Sequence, residues 1–357
     1  HNEDHSERYW RLNIGPWLRI IVGIVYDRYL AIESAIDSNK VTHTWIPPIK
    51  HGQWLPTDMR TFITRACVND NFNLYLYSRI ITQQGKIPFE YKEDKSFFDL
   101  EDPVEAKSLA LPAKAKIIIR DLLGRISKRI PDRFNQIVFS ASGLSSLNLF
   151  KLQLSLGQFP HPGFLHITEC RTPVNKNLRK SIKLPQGANE FESILNNLIV
   201  EQLPASFLEG YPAMRDKSLE VFPKHPKIIF TSTDFAFNEG FVIWAGTQIE
   251  QGTKLILSQH GGGYGMISTV LTEKHELEVC DKYFTWGWKA DEKPKAVPMA
   301  SAKLQGVQHN IKPDSKGAIL WVATTWPSYF VRMDHVISGL FGPEYFSRQA
   351  QFFSVAS

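Results

Sequence analysis

Between Gln136 and Trp288, short segments rich in β-branched and aromatic residues alternate with stretches at helical spacing. That alternation restricts the chain to an α/β fold built on a parallel sheet with helices over its faces. Gln136 to Ser140, Gly163 to Thr168, Lys227 to Thr231, Lys254 to Leu257 and Lys282 to Thr285 read as strands, and Glu190 to Gln202 and Asn238 to Gln251 as helices. In open parallel sheets ligands sit beyond the carboxyl ends of the strands. Ser232, Thr233 and Asp234 after one strand, and Gln259 to Gly265 after the next, therefore fall on one rim.

Upstream the rhythm is helical. Ser6 to Ile36 places Trp10, Ile14, Trp17, Leu18, Ile21, Ile24 and Val25 at helical intervals, with a break or fresh start expected at Pro16. Pro56 to Gln83 reads as one further helix. Glu101 to Ile130 reads as another region of helical pattern, its second half carrying Lys114, Lys116, Arg120, Arg125, Lys128 and Arg129. Such a basic amphipathic stretch suits an anionic membrane surface or a partner, and more often is a solvated face. Residues 1–135 are thus read as a mainly helical N-terminal region and 136–288 as a Rossmann-like domain. Residues 289–316, with Pro294 and Pro298, are read as a linker, and 317–357 as the start of a second Rossmann-like domain cut short.

The excess of 41 Lys and Arg over 36 Asp and Glu is too mild to require nucleic acid. Three widely spaced cysteines, Cys67, Cys170 and Cys280, form neither a disulfide framework nor a zinc motif, and fit a reducing compartment. No apolar run is long enough to span a bilayer. His1, Glu3, Asp4 and His5 are metal-capable residue types without cysteine partners, and no metal site is assigned to them.

The strand from Lys254 to Leu257 runs into Ser258-Gln259-His260-Gly261-Gly262-Gly263-Tyr264-Gly265-Met266. Glycines at a strand end let backbone amides approach a phosphate or a sugar, and an imidazole beside them can take a proton from a hydroxyl near neutral pH. The spacing is neither a P-loop nor a dinucleotide fingerprint. His260 is the candidate general base, with Asp234, Glu239, Glu273 or Glu276 available to orient it. Gln259, Gly261, Gly262, Gly263, Tyr264, Ser232 and Asp234 are candidate substrate contacts, and Thr324 and Thr325 candidate donor contacts. The plainer readings stand beside these: a strain-relieving turn, helix caps at Ser232 to Asp234 and at Thr324 and Thr325, and core aromatics at Trp286 and Trp288.

Three segments together resemble a family of transferases encoded in bacterial surface-carbohydrate loci for O-antigen and capsule. They are Arg8-Tyr9-Trp10 to Tyr26-Asp27-Arg28-Tyr29, Gln259-His260-Gly261-Gly262 with Tyr264-Gly265, and Lys282-Tyr283-Phe284-Thr285-Trp286-Gly287-Trp288. The His-Gly element is more distantly similar to the Trp-His-Gly element of teichoic-acid glycerophosphotransferases, with Gln259 in place of the tryptophan, and to the histidine-glycine turns of capsule sugar transferases. The resemblance implies a B-type glycosyltransferase architecture of two Rossmann-like domains. It further implies transfer of a sugar or phospho-alditol from a nucleotide-activated donor to a surface glycan, His260 acting as base on the acceptor hydroxyl. The implied partners are a nucleotide sugar as co-substrate and a glycan or lipid-linked acceptor, with no separate cofactor and no nucleic acid. The implied setting is the cytoplasm, with peripheral contact at the inner membrane. Because members of such families carry a complete second domain for the donor nucleotide, a chain ending at Ser357 is expected to keep the acceptor half and to lack activity. The rival reading is a non-catalytic glycan- or nucleotide-binding module, or a membrane-associated scaffold of the polysaccharide assembly machinery.

Overall fold

The computed structural model describes residues 3–48, 52, 54–93, 130–160, 172–268, 270–305, 307, 311–312, 317, 320–322, 329–331 and 341–356. The expected strand at Gly163 to Thr168, the basic helical region from Glu101 to Arg129, and Thr324 and Thr325 lie outside these residues.

The chain opens with a 31-residue helix, α1 (Glu7–Asp37), about 46 Å long at 1.5 Å per residue. Ser6 caps it through Tyr9 N–H. The break expected at Pro16 is absent, and the helix runs through it. One missing amide bond is tolerated because burial, not local propensity, holds this helix. Its first turns enter one core through Tyr9 and Leu12, and its later turns enter a second through Trp17, Ile21, Ile24 and Val25. The helix is thus a spine shared by both cores.

The second core is helical. It adds α2 (Met59–Val68), α3 (Asp70–Gln84) and, further along the chain, the helix Glu190–Gln202. The sequence suggests one helix from Pro56 to Gln83, yet Asn69 divides it. The Asn69 side chain accepts from Phe72 N–H and starts α3, while its backbone N–H closes α2 on the Arg65 carbonyl. Strands β1 (Thr44–Ile46) and β2 (Phe89–Tyr91) pair in parallel beside this core.

The first core belongs to a five-stranded parallel sheet of β3 (Ile137–Ser140), β4 (Ile228–Thr231), β5 (Lys254–Ser258), β6 (Lys282–Thr285) and β7 (Ala296–Pro298), in that spatial order. Four of these strands match the sequence expectation to within a residue. The fifth lies in the segment read as a linker. It is a short Ala-Val-Pro at the sheet edge, where Pro298 leaves no central ladder bond unmade. The order does not reverse among these strands, so they offer no switch-point crevice. A ligand site is left to the loops at their carboxyl ends.

Between the strands lie α4 (Ser146–Ser155), α5 (Lys176–Ser181), α6 (Glu190–Gln202), α7 (Tyr211–Val221), α8 (Asp234–Phe237), α9 (Glu239–Glu250) and α10 (Leu271–Val279). One sheet face, through Val138, Ile229, Leu255, Leu257 and Tyr283, is sealed by α7, α9, α10 and the start of α1. The approach of α1 to α9 depends on Gly246, where a Cβ would stand 2.7 Å from the Tyr9 ring. The opposite face carries the aromatic row Phe139, Phe230 and Phe284, with centroids 5.7 and 5.8 Å apart. That row meets α4 and the segment 299–305 around a cavity.

Two further segments pack against these lobes. Near the N-terminus His5 contacts both Glu3 (3.2 Å) and Glu250 (2.6 Å) and stacks on Tyr9. After the sheet, residues 329–331 return to the helical lobe. There the buried Arg28 donates to the Phe330 carbonyl (2.6 Å), Tyr329 donates to Asp70 (2.8 Å), and Val331 enters the core. A further helix, α11 (Phe341–Ala356), packs Phe352 against Trp321, with ring centroids 4.3 Å apart.

Candidate functional site

The turn after β5 is held by its own side chains. Gln259, buried, donates its amide N–H to the Gly261 carbonyl (2.7 Å), and its Oε1 accepts from Trp286 N–H (2.8 Å) and Trp288 Nε1–H (2.9 Å). Its backbone N–H continues the ladder to Phe284. Gly265 sits at φ +72° with the Trp288 ring 2.6 Å from any Cβ it might carry, so both conformation and space demand glycine there. The backbone N–H of Gly265 in turn donates to Glu273 (2.6 Å).

This frame presents His260 on the rim, its ring edge-on to Phe235 and to Tyr264. His260 Nε2 lies 3.1 Å from the Tyr264 hydroxyl, which donates to Glu276 Oε1 (2.9 Å), while Tyr283 donates to Glu276 Oε2 (2.8 Å). His260 Nδ1 is 3.9 Å from Glu276 Oε1. The histidine side chain keeps 25% of its surface, with Nδ1 itself buried, and the glutamate keeps none. Burial pushes the Glu276 carboxyl up to about 8, against the downward pull of its two tyrosine hydrogen bonds. Tyr283 is raised too, by burial first and then by the glutamate's charge.

Four carboxylates could orient His260 on sequence grounds, and tertiary structure sorts them. Asp234 accepts from Ser140 Oγ at the end of β3. Glu239 accepts from Met59 N–H (2.7 Å) and fastens the sheet lobe to α2, its carboxyl raised to about 7 by burial. Glu273 holds the Gly265 amide and Lys293 (2.6 Å). Glu276 meets His260, through the Tyr264 hydroxyl and at 3.9 Å from Nδ1.

A histidine joined through a tyrosine to a buried carboxyl is an arrangement through which a proton could move. A family model described as LIC12162 family transferase matches residues 1–357. The chain belongs to the LIC12162 family of transferases. No curated protein and no solved structure matches it.

In this transferase the expected contact residues fall into two groups. Gly261, Gly262 and Gly263 remain at the rim, with Gly262 facing open space. Gln259 and Tyr264 are enclosed and shape the turn, their polar atoms facing inward. Ser232 and Asp234 are buried at the end of β4, where Ser232 N–H donates to the Ala141 carbonyl. Neither Ser232 nor Thr233 caps a helix by its side chain; Asn238 caps α9 instead. Trp288 serves the turn, packed against Gly265.

Two features escape a sequence reading. Lys303, from the segment read as linker, donates to the His260 carbonyl (2.9 Å) and is exposed, a cation set directly behind the turn. Beside it a cavity of about 640 Å³, lined by Ser142, Phe230, Ser258, Phe284, Met299 and Gln305 among others, opens on the aromatic face of the sheet. That volume is within the range of small-molecule sites, roughly 300–1,000 Å³. The only sequence signal for either is their position beyond strand ends. No described helix is long and apolar enough to cross a membrane, and no three His, Cys, Asp or Glu side chains among the described residues gather as metal ligands.

Proposed function

We propose that this transferase moves a sugar, or a related phospho-alditol, from a nucleotide-activated donor to a hydroxyl of a growing surface glycan, with His260 as general base. The carrying observation is the half-exposed His260 on the carboxyl-end rim, coupled through Tyr264 to a fully buried Glu276. The acceptor O–H bond breaks as its oxygen attacks the donor, the proton passes to the imidazole, and the nucleotide leaves with the bonding pair. On this reading the amides of Gly261 to Gly263 and the ammonium of Lys303, which donates to the His260 carbonyl, meet the developing negative charge. The neighbouring cavity, apolar with hydroxyl and amide edges, is sized for the body of one substrate.

The same reading extends to a B-type pair of Rossmann-like domains, to donor contacts at Thr324 and Thr325, and to work on the cytoplasmic side with peripheral contact at the inner membrane. The glycan resemblance of the Arg8 to Tyr29 opening, the His-Gly turn and the Lys282 to Trp288 strand supports it. The test is nucleotide release and glycan labelling from a panel of nucleotide sugars by the full-length protein. His260→Ala is expected to lower turnover by about 10²- to 10⁴-fold, the usual contribution of a general base, while donor binding holds. Unchanged transfer would overturn the role of His260.

A further inference from the structure

The hydrogen bonds around Tyr264 carry more than an orienting role. A tyrosine hydroxyl donates once and accepts, so between His260 Nε2 (3.1 Å) and Glu276 Oε1 (2.9 Å) its single proton can point only one way at a time. When Glu276 is a carboxylate, Tyr264 donates to it, and the tyrosine oxygen accepts from His260 Nε2–H. When Glu276 is an acid, its own proton points at Tyr264, the hydroxyl turns to His260, and Nε2 must be the unprotonated nitrogen. Adding one proton to the first state can therefore place it on Glu276 or on His260, and the two placements differ only by shifts along hydrogen bonds already formed.

We propose that Glu276 is the proton partner of His260, the two sharing one proton through the Tyr264 hydroxyl, so that the state of Glu276 sets the tautomer of His260. Glu276 is a positioning residue in this scheme, because the substrate cannot touch it. Its catalytic meaning rests on His260 being the base; the proton sharing itself does not. The surroundings fit a carboxyl held near its switching point. It is fully enclosed, and Tyr283 donates to Oε2 (2.8 Å). The other charged or titratable groups facing it are Arg19 from α1, which favours ionisation, and Glu273 on its own helix, which opposes it and is itself paired with Lys293. Cys280, just after α10, also feels its charge. Burial lifts the carboxyl to about 8.

The experiment is a pH titration of ¹⁵N-histidine-labelled full chain by NMR, with His260→Gln identifying the His260 signals among the 11 histidines. In the wild type His260 is expected to show two inflections and a change of tautomer between them, as interacting sites do. In Glu276→Gln one inflection remains and no change of tautomer accompanies it. In Tyr264→Phe the tautomer change disappears although the carboxylate is still present. A single His260 inflection with the same tautomer in the wild type and Tyr264→Phe overturns the proposal, even if Glu276→Gln fails to fold. If His260→Ala leaves transfer unchanged while the coupled titration stands, the base role falls and the shared proton survives.

Discussion

Glu276→Gln is expected to change the sign of its effect on stability with pH. In the folded chain the carboxyl keeps its proton up to about 8, whereas in the unfolded chain it releases it near 4.5. Between those values the native state binds the extra proton, so the wild type loses stability as pH rises through the window. At 1.36 kcal/mol per unit the loss reaches at most about 5 kcal/mol above pH 8. Glutamine cannot ionise, so it escapes this loss. It does give up the acid's bonding pattern with Tyr264 and Tyr283 (2.9 and 2.8 Å), about 1 kcal/mol for each bond weakened. The variant should therefore be less stable than the wild type by about 1–2 kcal/mol at pH 5, and more stable by about 3 kcal/mol at pH 9. Urea midpoints followed by circular dichroism at pH 5, 7 and 9 measure this, provided the slope m is common to both proteins. A deficit of equal size at pH 5 and pH 9 would refute the reasoning, since it would mean that Glu276 folds without a displaced titration.

Gly265→Ala, which forces a Cβ into φ +72° and within 2.6 Å of the Trp288 ring, should cost about 2 kcal/mol or more by denaturant unfolding. Gly262→Ala, with nothing within 4 Å, should stay within about 0.5 kcal/mol, and equal losses would show that the turn is set otherwise. Gln259→Leu strands the Trp288 Nε1–H and the Trp286 amide, an expected loss of about 2–4 kcal/mol with a changed tryptophan emission. An unaltered midpoint would place the anchoring elsewhere. His275 is pushed down to about 4, by burial first and then by Arg19 and Arg11. The native ring refuses the proton that the unfolded one takes near 6.5, so stability present above 6.5 is lost as pH falls toward 4. The loss is at most about 3 kcal/mol, reduced by the ring's remaining solvent contact. His275→Gln should flatten that acid limb of the midpoint curve, and an unchanged slope would exclude His275 as its cause.

The local elements were legible because their cause is local. Apolar runs such as Ile228–Thr231 and Lys254–Ser258 are short, β-rich and bounded by turn residues, and they lie within a residue of their expected places. The helix Glu190–Gln202 has its cap, Asn189, written beside it. Errors arose where neighbours far along the chain outweighed local preference. Pro16 does not stop α1, because both flanks of that helix are buried in cores built by other segments. Ala296–Pro298 is a strand only because β6 offers it an edge. In the other direction, Asn69 splits a helical pattern because one residue serves two ends, its side chain starting α3 and its backbone N–H closing α2.

The candidate site divides in the same way. His260 and its glycines are contiguous, so residue chemistry and spacing alone mark them as a turn able to approach a ligand. Which acid attends the histidine was beyond the sequence, for Asp234, Glu239, Glu273 and Glu276 are all ionisable residues near strand ends. Folding gave three of them other partners and drew Glu276 under Tyr264 and Tyr283 with no solvent contact. Lys303 joined the rim from 43 residues away. Spacing along a chain fixes what one segment can do, whereas desolvation and hydrogen-bond partnership are properties of a packed volume. The pattern of strands, helices and the His-Gly turn therefore belongs to the sequence, and the buried acid that tunes His260 belongs to the tertiary structure alone.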